Sequence, residues 1–357
     1  MAYTTIDDPS AYFHTQLYTG NGSSGLSITN DANAGNFQPD WLWIKPRSAS
    51  DNHVIFDSSR GEDKQLKANG DDAEDTHSPA RVTIESDGFD LDTTDGNYNG
   101  NGTTYVAWQW IANGGTTTTN DASATGVGSI DSVYQANTTA GFSIVTHTGS
   151  GSSGTIAHGL GATPKWVLTK NRTDSSEDWA NYHIGLSSAE YYIRLNTNAA
   201  QAAGSSVWGD TAPSSTVITL GGANGKNNAS SKNYVSYCFA NIQGYSKFGS
   251  YKGIGGNDGS FVYLGFKPAW ILFKRADATE DWFLFDSKRD TSNPNNDRLL
   301  PNLNNAESES EELDFLSNGF KIRTGSSAVN TSGATYIYMA FAEHPFVSSK
   351  GVPATAK

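Results

Sequence analysis

Carboxylates, histidines and aromatic rings are the residues of this chain that could do chemistry, and their spacing limits what that chemistry is. Two runs are rich in oxygen: Asp92-Thr93-Thr94-Asp95-Gly96-Asn97 and Asp71-Asp72-Ala73-Glu74-Asp75. Calcium takes six to eight oxygen ligands. Neither run has the EF-hand spacing, and Asp, Asn and Gly are also the residues that plain turns require. Turns are the expectation; no cofactor is expected, and a calcium ion, if bound, falls to Asp92, Asp95 and Asn97. Glycoside hydrolysis needs two carboxylates flanking one sugar. Asp57 with Glu85, or Asp286 with Glu280, are the pairs that qualify. The aspartates fall on repeated strands, which points to a structural role such as pairing with Lys45 and Lys274. No Gly-x-Ser-x-Gly elbow is present, and the glycine-rich Gly149 to Gly154 is followed by no helix to hold a phosphate. The seven histidines (His14, His53, His77, His147, His158, His183 and His344) are scattered, without zinc-site spacing. The single cysteine, Cys238, lies in an apolar run and reads as a small buried hydrophobe. The chain is therefore expected not to be an enzyme.

Aromatic rings remain. Exposed rings stack on sugars, and Asn and Asp side chains bind hydroxyls. Trp41, Trp166 and Trp270 recur at a fixed spacing and are expected in the core. The non-repeated rings Tyr98, Tyr191, Tyr192 and Trp208 are the candidates for binding or subunit contact.

The elements that position these residues come from a repeat. Tyr18-Thr19-Gly20-Asn21-Gly22, His147-Thr148-Gly149-Ser150-Gly151 and Tyr251-Lys252-Gly253-Ile254-Gly255 each lead to a Pro, a Trp two residues on, and a Lys four after that: Pro39-Trp41-Lys45, Pro164-Trp166-Lys170 and Pro268-Trp270-Lys274. Each copy closes on an aromatic strand, at Tyr105 to Trp110, Tyr234 to Phe239 and Tyr336 to Phe341. A repeat this long is a domain rather than a solenoid unit. The matched blocks are short, β-branched and aromatic, and are bounded by turn residues, so they read as strands. The Trp41-to-Lys45 strand is apolar on both faces, which suggests a central position. On the closing strands the bulky face (Val106, Trp108, Trp110 and their counterparts) is expected to be the core. The Tyr105, Tyr234 and Tyr336 face is left to meet a second layer, a neighbouring module or another subunit. Glu307 to Leu313 reads as a solvated acidic loop.

The expected fold is thus all-β: three tandem β-sandwich modules. Module one spans 1–115, a linker 116–140, module two 141–247, module three 248–346 and a C-terminal tail 347–357. Module two departs most, carrying His183 where the others have Asp57 and Asp286.

Composition narrows the partners. A net charge of -13 without a basic cluster argues against nucleic acid, which needs a Lys/Arg footprint. No window resembles a signal peptide or membrane span, so synthesis in the cytoplasm without membrane insertion is expected.

Several motifs resemble a repeated domain of uncharacterised marine bacteriophage virion proteins, often labelled tail-fibre or structural. They are Tyr-Thr-Gly-Asn-Gly, the Pro39-to-Arg47 strand, the Phe-Asp-Ser strands, Ala140 to Gly149, and the ending Ala340-Phe341-Ala342-Glu343-His344-Pro345-Phe346. The resemblance covers about residues 12–346. It implies β-sandwich modules of lectin or jelly-roll type, a virion location after synthesis in the host cytoplasm, and a tail-associated or capsid-decoration role. Its implied partners are other virion proteins, with host-surface glycans as candidate ligands. Aromatics in excess of three small cores add the expectation of a homo-oligomer, a trimer by analogy with phage fibres. The competing expectations are a polysaccharide-degrading enzyme of lectin-like sandwich type and a free carbohydrate-binding protein.

Overall fold

A computed structural model of the chain describes residues 2–31 and 37–354. It is almost entirely antiparallel β-structure. No described helix is long and apolar enough to cross a membrane. Four strands recur in each module. The opening strands are Phe13–Thr19, Phe142–Thr148 and Ser246–Lys252. The tryptophan strands are Trp41–Pro46, Pro164–Asn171 and Phe266–Arg275. The third strands are Val54–Asp57, Ala180–His183 and Trp282–Asp286. The closing strands are Thr104–Trp110, Asn233–Ala240 and Thr335–Pro345. In every module the order across the sheet is opening, closing, tryptophan, third. The registers match as well: Trp41 lies opposite Trp110 and Asp57, Trp166 opposite Phe239 and His183, Trp270 opposite Phe341 and Asp286. Pro164 and Pro268 sit at register shifts, where a missing N–H costs no ladder bond.

A shorter sheet covers one face of each main sheet, giving a sandwich-like pair of layers. In module one it is Leu26–Thr29, Gly88–Leu91 and Val82–Glu85; in module two Gly154–Ala157 with Val217–Leu220. In module three it is Phe261–Tyr263, Gly319–Ile322, Ser308–Leu316 and Asn295–Arg298. Between the layers lie separate clusters, containing Leu42, Phe56 and Tyr105 in module one, Val167, Trp208 and Cys238 in module two, and Ile271, Phe285 and Tyr336 in module three.

The Thr-Gly-x-Gly-like motif serves a buried asparagine turn at the end of each closing hairpin. Asn99, Asn228 and Asn330 accept from the N–H of Asn21, Ser150 and Ile254 respectively. Beside them the hydroxyls of Tyr105, Tyr234 and Tyr336 donate to Gly96, Gly225 and Ser327 carbonyls. A Cβ on Gly20, Gly149 or Gly253 would stand 2.2–2.3 Å from a carbonyl oxygen of that turn, so only glycine fits.

The second face of each main sheet turns inward, and all three meet in one cluster. It holds Trp41, Trp43, Trp108, Trp110, Trp166, Trp179, Trp270 and Trp282 together with Tyr237, Phe239, Met339 and Phe341. Trp110, Phe239 and Phe341 occupy the same register position, and each touches the other two, with ring centroids 6.4, 5.4 and 5.7 Å apart. Three equivalent rings in mutual contact place a pseudo-threefold axis between the modules. The tryptophans are buried at equivalent positions and the bulky face is core, as expected; of the three neighbours left open to the tyrosine face, it meets a second layer. The bulky face is the centre of the whole molecule, and the Tyr105, Tyr234 and Tyr336 face is the interior of its own module. Both faces are buried, so size alone did not distinguish them.

Two local expectations also change. Residues 116–140 are not a free linker: Thr118–Asn120 and Ser132–Asn137 extend the main sheet of module two beyond its opening strand. Glu307 to Leu313 is not a loop, because Ser308–Leu316 is a strand whose Leu313 and Phe315 face the interior of module three. In the tail, Val347 bridges Pro353, and Ser349 bonds Asp7 near the N-terminus.

Candidate functional site

Two of the three seams between modules are closed by buried ion networks, and these follow one plan. At seam one–two, Asp57 pairs with Arg60 at 2.5 Å, Arg60 with Glu74 at 2.8 Å, and Glu74 with Arg172 of module two at 2.7 Å. Tyr237 of module two donates its hydroxyl to Asp57 at 2.6 Å. At seam three–one, Asp286 pairs with Arg289 at 2.6 Å, Arg289 with Glu307 at 2.7 Å, and Glu307 with Arg47 of module one at 2.7 Å. Trp108 takes the tyrosine's place, donating to Asp286 at 3.0 Å. Burial alone would raise the Glu74 and Glu307 carboxyls, but the adjoining guanidinium groups outweigh it and hold both below the usual range.

Seam two–three replaces every member of this set. His183 stands in the aspartate column and Leu186 in the arginine column. Gln201 takes the glutamate position, its N–H bonding the Ala276 carbonyl as Glu74 and Glu307 bond those of Arg172 and Arg47. Met339, which has no proton to donate, faces this seam where Tyr237 and Trp108 face theirs. His183 meets the main chain instead, its Nε2 lying 3.1 Å from the Tyr338 carbonyl. The change of His183 for aspartate is therefore one part of a concerted replacement.

The lysine column is bonded differently from expectation, and two of its three members reach across a seam. Lys45, Lys170 and Lys274 are fully buried and do not pair with the aspartate column. Lys45 donates to the Pro46 carbonyl and reaches that of Asn304 in module three. Lys170 donates to the carbonyls of Glu177 and of Asp71 in module one, and Lys274 to that of Arg275. Asp57 and Asp286 choose arginine because its planar fork bonds two carboxylates at once.

The residues singled out for binding do not come together. Tyr98 and Trp208 are buried inside modules one and two, so neither ring offers a face to solvent. Tyr192 is almost buried, its hydroxyl accepting from Arg194 at 2.8 Å and its ring lying under that guanidinium. Tyr191 packs against the central cluster. Of the calcium candidates, Asp92 is exposed and accepts from the Ser24 hydroxyl at 3.3 Å. Asp95 pairs with Arg81 at 2.7 Å and caps the Asn97 N–H at 2.9 Å, and Asn97 accepts from Asn52. Among the described residues no three His, Cys, Asp or Glu side chains gather as a metal-binding group. Asp57 and Glu85 stand in different settings: Asp57 is buried among Arg60 and Tyr237, and Glu85 is exposed at a strand end. Asp95→Ala is expected to lower stability by about 1–2 kcal/mol, the size of the hydrogen bonds lost, and equally in calcium and in EDTA. An unequal loss in paired melts would assign an ion to this turn.

One feature was not anticipated. A cleft of about 380 Å³ opens at seam three–one, lined by Phe13, His14, Thr15, Asp31, Lys267, Ala269, Ser287, Lys288, Glu343 and their neighbours. Its only sequence signal is the residue before each repeated tryptophan, which is Asp40, Lys165 and then Ala269.

No curated protein and no solved structure matches the chain. One family model does, described as domain of unknown function DUF7483, in a single span over residues 8–345. That span takes in all three modules and every seam between them, and the chain belongs to this family.

Proposed function

We propose that the protein is a structural or adhesive component of a bacteriophage virion, tail-associated or decorating the capsid, that acts by assembly and surface binding rather than by catalysis. The observation that carries the non-catalytic part is the use made of its ionisable groups. The buried acids of two seams are taken up by arginine, tyrosine and tryptophan within the chain, and these contacts close three modules into one body. A body of short strands tied together by such networks suits a particle component. Surface recognition draws support from Phe261 and Tyr263, both about half exposed on one face of an edge strand.

In this reading the protein is made in the host cytoplasm and resides in the virion, with other virion proteins as partners and host-surface glycans as ligands. Homo-oligomerisation belongs to the same reading, but the tyrosine face lends it no support, since Tyr105, Tyr234 and Tyr336 are covered within their own modules. Among the described residues, Ile184, Ile254, Phe261, Tyr263 and Val352 are the exposed large apolar side chains left to carry such a contact. Quantitative proteomics of purified particles is the test: a fixed copy number per particle is expected, with light scattering of the isolated chain reporting its oligomeric state. Absence from particles would sink the virion reading.

A further inference from the structure

We infer that the cleft at seam three–one is a binding site for a neutral hexopyranose, such as the terminal unit of a surface glycan; the inference rests on the surface-binding part of the reading above. The argument is a comparison of pseudo-equivalent places. At seam one–two the corresponding space is filled. Asp40, which precedes Trp41 as Ala269 precedes Trp270, accepts from the Ser58 hydroxyl at 2.7 Å and from the N–H groups of Ala112, Gly114 and Gly115 at 2.7–2.8 Å. Gln135, on the strand Ser132–Asn137, donates to the Ser58 and Ser59 hydroxyls at 2.9 Å each.

At seam three–one both fillers are missing. Ala269 has no carboxylate. Among the described residues no strand pairs with the outer edge of Phe13–Thr19, where Ser132–Asn137 pairs with the opening strand of module two. Ser287 and Lys288, the counterparts of Ser58 and Ser59, line the open cleft instead.

The walls specify the ligand. Both lysines of the lining are already matched, Lys267 with Glu343 at 2.8 Å and Lys288 with Asp31 at 3.4 Å. His14, whose pKa burial lowers, bonds Asp31 at 2.9 Å, and the remaining acid, Asp8, accepts from the Ser10 N–H of its own turn. An anionic ligand would therefore find both lysines taken. Two polar atoms remain buried without a partner: Thr15 Oγ1, on a residue only 4% exposed, and Glu343 Oε2. Leaving such atoms unbonded is costly. The carboxylate oxygen accepts only, so it calls for a donor, and the threonine takes a group that donates or accepts. Adjacent sugar hydroxyls do both. Phe13 and Ala269 supply an apolar surface, and the volume stands near the lower end of small-molecule pockets, the size of a single ring.

The test is saturation-transfer NMR on the full chain with glucose, galactose, mannose and N-acetylglucosamine, each at about 10 mM, which detects millimolar binding. At least one sugar is expected to bind. Thr15→Val should weaken it by about 2- to 10-fold, the loss of one hydrogen bond. Ala269→Asp, which restores the carboxylate of module one, should abolish it, with thermal melts showing that each variant folds. If Ala269→Asp does not fold, Thr15→Val decides alone, and unchanged affinity there overturns the site. Silence from all four sugars on the native chain also overturns it. So does binding that survives Ala269→Asp and is lost in Phe261→Ala, which would place recognition on the edge strand. Sugar binding by a chain absent from particles would leave this site standing and sink the virion reading alone.

Discussion

An Arg60→Ala variant is expected to lose about 3–5 kcal/mol of folding stability, the usual consequence of removing one member of a buried ion network. The Arg60 side chain has no exposed surface and sits between Asp57 and Glu74. Without it two carboxylates remain out of water, and Asp57 keeps only its bonds from Tyr237 and from the N–H groups of Ser59 and Arg60 itself. The loss measures an orphaned charge, not the worth of the network. Seam two–three shows how the same junction is built without charge. Transplanting that solution, as Asp57→His, Arg60→Leu, Glu74→Gln, Arg172→Ala and Tyr237→Met together, is expected to cost less than Arg60→Ala alone. Its loss should stay within about 2 kcal/mol of the native protein, because well-packed apolar replacements of buried ion pairs are often close to neutral. The five positions touch one another, so their separate effects will not add. Urea unfolding of the single and fivefold variants is the measurement. A fivefold variant less stable than Arg60→Ala would show that the columns of the three seams do not correspond.

This correspondence also shows what a sequence can and cannot disclose. The twelve recurring strands follow from Pro, Trp and Lys at fixed intervals. The equivalence of Trp41, Trp166 and Trp270 holds to the residue, because register in a sheet buried on both faces tolerates no slip. The two-faced apolar run from Trp41 to Ile44 already implied cover on both sides. What covers each side depends on contacts between modules, and these leave no local period. Tyr98 and Trp208 occur once each, which made them look dispensable to the repeat, yet each fills the interior of its own module. The replacement of aspartate by His183 was visible in the chain. Its reason was not, since Met339, Leu186, Gln201 and Ala276 come together only across a seam. The cleft was hidden for the same cause: Ala269 is unremarkable until Asp40 is seen filling the equivalent space.

Stability is expected to fall steeply in acid and to rise through mildly alkaline pH. Burial depresses the histidines: His147 and His158 to about 4 and His183 to about 3, with His53 also pushed well below its usual value. Their rings bond main-chain carbonyls of Asn227, Ser214 and Tyr338, which offsets only part of the cost of desolvation. Unfolded, each takes up a proton near the ordinary 6.5. The unfolded state therefore binds more protons below that pH, and stability present above 6.5 is lost as pH falls towards the native values. At about 1.4 kcal/mol per pH unit for each group, three histidines withdraw on the order of 8 kcal/mol by about pH 4.5. A domain's whole stability is about 5–15 kcal/mol. Glu74 and Glu307, held low by arginine, add loss of the same sign further down. On the alkaline side burial brings Lys45, Lys170 and Lys274 down to about 8 from 10.5. Between those values the unfolded chain again holds the extra protons, so stability climbs as pH rises. Melting temperatures measured from pH 4 to 10 should rise across that range, with unfolding at room temperature near its lower end. A melting temperature unchanged between pH 6.5 and 4.5 would mean that His147, His158 and His183 are not buried neutral. The absence of a rise between pH 8 and 9.5 would mean that the three lysines are solvated in the folded chain.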